Sequence, residues 1–260
     1  MGSKESALAT VSQDFLQLAG HPVRWRLLRE LARSDRRVGE LTGLLGQPQN
    51  LLSYHLGRLR AVGLVSARRS SADGRDFYYR AEVGRFADLL ATTGRSLHPG
   101  LRLDPAAPVL DGPLPGAPLA RLLFLCTGNS ARSQMAEAMA EARSDHRVRA
   151  CSAGSHPKPL HPNAVRVMAE RGIDLGTRRP KHLSVFTAER FDYVITLCDK
   201  VREVCPEFPG HPGYIHWSMP DPAADGAEDT CPSFRRVAAD LDTRIGYLLA
   251  TIAASGRDGQ

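Results

Sequence analysis

The residues with most chemical potential in this chain gather in one stretch, Leu122-Leu123-Phe124-Leu125-Cys126-Thr127-Gly128-Asn129-Ser130-Ala131-Arg132-Ser133. Four apolar residues end on a cysteine, and an arginine follows six positions after it. Ser133-Gln134-Met135-Ala136-Glu137-Ala138-Met139-Ala140 then has helical composition. A Cys-x5-Arg loop between a strand and a helix suits a tetrahedral oxyanion. The amides of Thr127, Gly128, Asn129, Ser130, Ala131 and Ser133 supply donors at a helix start. The planar guanidinium of Arg132 adds a two-donor clamp. The same positive field favours the thiolate of Cys126, the nucleophilic form.

Two more cysteines and a carboxylate lie downstream. Cys198 and Cys205 are seven residues apart, about 10 Å along a helix, so both thiols share a face but cannot bond while helical. Asp221-Pro222 places a carboxyl on a rigid turn, where it can donate a proton to a leaving oxygen. Cys151 reads as an inert packed thiol in a strand, and Cys231 as an exposed one at a helix start. No cysteine precedes residue 126.

These groups need elements to hold them. From residue 120 the pattern alternates. Strands are expected at Arg121–Leu125, Val148–Ala153, Phe191–Leu197 and Tyr214–Trp217. Helices are expected at Ser133–Ala142, Pro162–Arg171 and Pro232–Ala254. That order predicts an α/β doubly wound domain with a parallel four-stranded sheet, with Cys126 and Cys198 on the carboxyl-end rim where such sheets bind ligands.

The first hundred residues differ. They hold 15 Lys and Arg against 9 Asp and Glu, which accounts for the whole net charge of +6 and points to a polyanion partner. Helices are expected at Val11–Ala19, Pro22–Ala32, Val38–Leu45, Pro48–Val62 and Val83–Ala91. The third and fourth, joined at Gly46-Gln47, form a helix-turn-helix. The fourth turns Leu52, Leu56 and Leu59 inward and Gln49, Asn50, Ser53, Tyr54, His55 and Arg58 outward, types that reach phosphates and base edges. Leu64–Arg69 and Asp76–Arg80 alternate like strands around an Asp-Gly turn, a wing carrying Arg68, Arg69 and Arg75. This half is therefore a mainly α winged helix-turn-helix, expected over 10–95. A Pro/Gly-rich linker follows over 96–119, and the α/β domain over 120–256.

The 260 residues include no apolar run long enough to span a membrane, and the first residues carry no apolar signal core, so a cytoplasmic protein without membrane contact is expected. Structural disulfides are not expected in that setting.

His21-Pro22-Val23-Arg24-Trp25-Arg26-Leu27-Leu28, Val38-Gly39-Glu40-Leu41, Gln49 to Leu56 and Leu59 to Val65 together resemble the ArsR-type winged-helix repressors. The resemblance implies operator DNA as partner and a homodimer formed through the N-terminal domain. The Cys-x-Cys that arsenic sensors of that family carry after Glu-Leu is missing from Glu40-Leu41-Thr42-Gly43-Leu44-Leu45, so no thiol or metal site is expected in this half.

Cys126 to Glu137, Ser152-Ala153-Gly154, Lys181-His182-Leu183, Thr196-Leu197-Cys198 with Cys205-Pro206, and Trp217 with Asp221-Pro222-Ala223 resemble the low-molecular-weight protein tyrosine phosphatase fold, in its thioredoxin-coupled arsenate reductase branch. That implies arsenate as substrate, with phosphate or sulfate as competing anions, no bound cofactor, and an external thioredoxin-like thiol reductant. It implies catalytic roles for Cys126, Arg132, Cys198, Cys205 and Asp221, with a Cys198–Cys205 disulfide formed during turnover. Ser133 would hold the Cys126 thiolate and Asn129 the loop shape. Ala131 replaces a cysteine often found before the arginine. Lys181 falls where relatives help hold a potassium ion, so no potassium requirement is expected. The alternatives are a plain phosphatase, which needs only Cys126, Arg132 and Asp221, and a regulator that senses oxyanions without turnover.

Overall fold

The computed structural model describes residues 12–101, 120–204, 213–224 and 231–257. The chain divides into two compact units, Met1–Ala106 and Ala107–Gln260. Most of the expected linker and all of Cys205 lie outside the described residues.

The N-terminal unit begins with helix α1 over residues 12–19. It continues with α2 (Pro22–Arg33), β1 (Arg36–Arg37), α3 (Val38–Leu45), α4 (Gln49–Ala61), β2 (Val65–Arg69), β3 (Phe77–Ala81) and α5 (Val83–Leu97). His21 caps α2 by accepting the Val23 amide at 3.2 Å, and Pro22 occupies the first turn, where a missing N–H costs nothing. Gly46 ends α3 in the left-handed region at φ 62°, which turns the chain into α4. Leu27, Leu41, Leu52, Leu59 and Leu64 are fully buried at its core. The strands pair antiparallel in the order β1-β3-β2, and β2 with β3 makes the wing. Two features depart from expectation. β1 adds a two-residue strand, tied to the wing where Arg37 pairs with Asp76 at 3.2 Å. α5 runs to Leu97 rather than Ala91, and its last turn meets α1 through Ser96 Oγ and Ser12 Oγ at 3.0 Å.

The C-terminal unit contains β4 (Ala120–Cys126), α6 (Arg132–Arg143), β5 (Val148–Gly154), α7 (Pro162–Ala169), a 3-10 turn (Leu183–Phe186), β6 (Tyr193–Thr196), α8 (Asp199–Val204), β7 (Gly213–His216) and α9 (Cys231–Arg257). All strand pairs are parallel, in the order β5-β4-β6-β7. β4 is central, and Leu122 to Leu125 are fully buried on both faces, as a continuous apolar run in a parallel sheet should be. β6 is shorter than the expected Phe191–Leu197, and α7 stops at Ala169 before Gly172 takes φ 74°. Cys231 opens α9 but is buried at 1% exposure, not exposed as expected, because α9 packs along α6 and α7.

Candidate active site and helix-turn-helix surface

The loop from Cys126 to Arg132 leaves the carboxyl end of β4 and enters α6. Its carbonyls are drawn away from its centre by one extended segment. The amides of His156, Lys158 and His161 donate to the carbonyls of Thr127, Gly128 and Ser130 at 2.8, 2.9 and 2.9 Å. Pro157 and Pro159 fall between two of those donors, where no N–H is needed. Because a trans peptide is planar with C=O and N–H opposed, each outward carbonyl turns the next amide inward. The amides of Gly128, Asn129 and Ala131 therefore face the loop centre, and the Asn129 amide lies 3.2 Å from Cys126 Sγ.

Asn129 is the hub. It sits at φ 44°, a region that asparagine tolerates better than most residues. Its amide nitrogen donates to Ser133 Oγ and Ser152 Oγ, both at 2.8 Å. Its oxygen accepts Lys181 N at 2.7 Å and Gln134 Nε2 at 3.1 Å. All four hydrogen-bonding positions of the side chain are thus used, at zero exposure. Ser133 Oγ in turn lies 3.0 Å from Cys126 Sγ. Gly154 backs the loop so closely that a Cβ there would sit 2.6 Å from Thr127 O and 2.8 Å from Asn129 N.

Arg132 is buried at 7% side-chain exposure. It donates to Met219 O at 3.1 Å, and its other nitrogen lies 3.4 Å from Asp221 Oδ2. Asp221, on the turn after β7, has its side chain 53% exposed. Cys198, two residues beyond β6, is buried, and its Sγ lies 3.2 Å from Thr127 Oγ1. Cys126, Arg132, Asp221 and Cys198 are therefore brought to one end of the sheet; Cys205 lies beyond the described residues.

Beneath the loop, Glu137 accepts Arg178 at 2.7 Å and the Ser152 hydroxyl, with Lys181 Nζ 3.6 Å away. Two cations of the chain and a hydroxyl already surround this carboxylate, so its donor set does not fit a further potassium ion. Burial and the nearby Glu137 push the Cys151 thiol up, in keeping with an unreactive cysteine. Among the described residues no three His, Cys, Asp or Glu side chains are grouped to hold a metal ion. None of the described helices is long and apolar enough to cross a membrane.

The motifs around Ser152 and Glu137 give these residues no role by themselves, and nothing in the composition of residues 156–161 marks them as the support of the loop. Gln134 and Glu137 lie in the first two turns of α6, where every residue from Arg132 to Ala140 is buried, so no helical period in the sequence marks them.

In the N-terminal unit, Gln49, Asn50, Ser53, Tyr54 and Arg58 are exposed on α4, with Arg69 and Arg75 exposed on the wing and Arg68 half-buried. His55 departs from the expected outward face. It is 4% exposed, its ring 4.5 Å from that of His21. Positions 52, 55, 56 and 59 form one helical stripe, so the period places His55 with the core leucines. Burial, with His21 and Arg24 adding to it, holds His55 below the usual imidazole range.

A family model described as low molecular weight phosphotyrosine protein phosphatase matches residues 121–258, just over half the chain. The chain belongs to that family. The phosphatase-family unit is 40% identical over 124 residues to an arsenate reductase of Brevibacillus brevis, covering 48% of this chain and 90% of that one. It is 37% identical over 138 residues to an arsenate reductase of Halalkalibacterium halodurans, covering 52% and 96%. A solved arsenate reductase in a phosphate-binding state aligns at 30% identity and a TM-score of 0.46, covering 51% of this chain and 98% of that one. A thioredoxin-dependent arsenate reductase of Corynebacterium glutamicum aligns over 88% of this chain and 98% of its own, at 23% identity and a TM-score of 0.45. Ahead of this unit, the model of the bacterial regulatory protein arsR family matches residues 21–67, the α2 to β2 segment that contains the helix-turn-helix.

Proposed function

We propose that the protein is a transcriptional regulator fused to an arsenate reductase that works through a three-cysteine relay. The observation that carries the reading is the Cys198 thiol on Thr127, the residue next to Cys126, because a phosphatase has no need of a second thiol beside its anion loop. The arsenate reductases among its relatives support the substrate.

Arsenate is held by the inward amides and Arg132. The Cys126 thiolate attacks arsenic, and a hydroxyl leaves as water with a proton from Asp221. Cys198, as thiolate, attacks the Cys126 sulfur. A Cys126–Cys198 bond forms, the sulfur–arsenic bond breaks, and its electron pair leaves on arsenic as arsenite. Cys205 then attacks Cys198, which returns Cys126 as thiolate and leaves a Cys198–Cys205 disulfide. A thioredoxin-like dithiol reduces that disulfide. No bound cofactor is needed, and because Lys181 and Arg178 neutralise Glu137, turnover is expected to be independent of potassium.

The test is arsenate-dependent NADPH oxidation with a thioredoxin system. Activity should vanish in Cys126→Ser, Cys198→Ser and Cys205→Ser separately. Turnover that survives in the Cys198→Ser/Cys205→Ser double variant sinks the relay. Hydrolysis of an aryl phosphate should persist in that double variant, since it uses only the loop, Arg132 and Asp221.

The N-terminal unit is read as an operator-binding homodimer, with α4 and the wing as its DNA surface. It holds no cysteine, so any response to arsenic must come from the other unit. If arsenite releases DNA equally well from a chain ending at residue 100, that coupling fails.

A further inference from the structure

A buried polar cluster outside the mechanism lies behind Cys198. Asp199, the first residue of α8, is fully buried and accepts Ser218 Oγ at 2.7 Å. His216 Nε2 lies 3.1 Å from the same carboxylate oxygen, and His216 Nδ1 lies 2.8 Å from Thr196 Oγ1. The Thr196 hydroxyl is directed at the Ile215 carbonyl, 3.4 Å away. With its hydrogen there, Thr196 Oγ1 can accept from Nδ1 while Asp199 accepts from Nε2, so the contacts leave room for a proton on both ring nitrogens of His216. The cluster thus joins the end of β6, the start of α8 and the end of β7. Ser218 also precedes Met219, whose carbonyl takes Arg132. One short run of chain therefore holds the cysteine helix on one side and the anion-loop arginine on the other.

A carboxylate next in sequence to a thiol opposes formation of the thiolate unless its charge is matched. A buried carboxylate without a counter-charge is also costly to the fold. Neither the anion loop nor the relay calls for Asp199, yet it is buried beside Cys198, with Ser218 and His216 among its partners.

We propose that Asp199, His216 and Ser218 form a positioning device for Cys198, in which His216 is the counter-charge that lets the carboxylate anchor α8 without suppressing the adjacent thiolate. The proposal deepens the relay reading and rests on it for its use, but its geometry does not depend on arsenate.

The rate of Cys198 modification by methyl methanethiosulfonate at pH 7, read by peptide mass mapping on the reduced full chain, reports the thiol in place. His216→Asn removes the positive partner of Asp199 and is expected to slow modification about tenfold, the scale of one counter-charge lost a few ångströms away. Adding Asp199→Asn to it restores the wild-type rate, and Asp199→Asn alone leaves the rate at or above wild type. That rescue is the readout that packing alone does not produce, since the double variant departs further from the native side chains. Equal slowing in the single and double variants, or an unchanged rate in His216→Asn, overturns the proposal. If His216→Asn does not fold, Ser218→Ala replaces it. That variant takes one donor from the carboxylate and should slow modification, while Ser218→Ala with Asp199→Asn should not; slowing in both overturns the proposal. Arsenate turnover measured on the same samples separates the two ideas. A wild-type chain that shows the rescue pattern but no turnover refutes the reductase reading and leaves the positioning role standing.

Discussion

In the C-terminal unit the groups around Cys126 are buried, and Asn129 uses every hydrogen-bonding position it has. In the N-terminal unit Gln49, Asn50, Ser53, Tyr54 and Arg58 stand outward on α4, and the leucines behind them carry the fold. The first site has its geometry before any ligand arrives, because its shape is part of the core. The second is a surface whose geometry is completed by whatever it meets. Substitutions should therefore behave differently in the two units: in the loop, activity and stability fall together, while on α4 binding falls alone.

Cys126→Ser gives the largest effect. Arsenate reduction and aryl phosphate hydrolysis should both fall about 10³-fold or more, with operator binding in gel shifts unchanged. Loss of DNA binding in that variant would break the separation of the two units. Asn129→Ala should follow. It strands Ser133, Ser152 and Lys181 N and forces alanine to φ 44°, so kcat/KM should drop about 10²-fold, with a loss of about 2–4 kcal/mol in denaturant unfolding of this unit. Gly154→Ala drives a methyl into Thr127 O and Asn129 N and should cost about 2 kcal/mol or more with reduced activity, although position 154 touches no substrate.

His55 sharpens the comparison from the other side, since it is a buried titratable group in the surface-reading unit. Its folded value lies below its unfolded one, so the unfolded chain binds more protons between the two. The contribution is complete above the unfolded value near 6.5 and is lost as pH falls toward the folded one. It amounts to about 1.4 kcal/mol for each unit of separation. Urea titrations at pH 7.5 and 5.5 should show this loss, and His55→Gln should flatten it. The smallest effects belong to Arg58→Ala and Arg69→Ala. Each should weaken operator and random DNA alike and reduce the slope of log K against log salt by about 0.9, with thermal stability unchanged.

Much of this was legible in the sequence. The strand-loop-helix around Cys126, the parallel four-stranded sheet and the helix-turn-helix all follow from period and turn residues, whereas the strand order β5-β4-β6-β7 does not. The apolar runs and the Gly46 turn are local features that tertiary context left alone. What the sequence hid were relations between distant residues. Nothing local says that Ser152 meets Asn129, that Glu137 meets Arg178, or that Asp199 meets His216, because each pair joins residues of separate elements that meet only in the folded unit. The assignment of His55 to the outer face is a different kind of miss. Its residue type points to DNA, but its helical phase, shared with Leu52, Leu56 and Leu59, decides its burial. The burial of Cys231 is hidden for another reason, since the packing of α9 on α6 and α7 cannot be seen from its first turn.

The peptide planes of the anion loop have a consequence for transplanting it. In the proposed function the loop holds its anion through main-chain amides and Arg132, so the side chains at Thr127, Ser130 and Ala131 can drift without altering that grip. The orientation of those amides belongs to residues 156–161, whose backbone amides hold the loop carbonyls. An engineer who grafts residues 126–132 onto another strand-helix junction would move the letters of the motif and leave behind the template that folds it. The transferable module is the loop together with the segment that begins at Gly154.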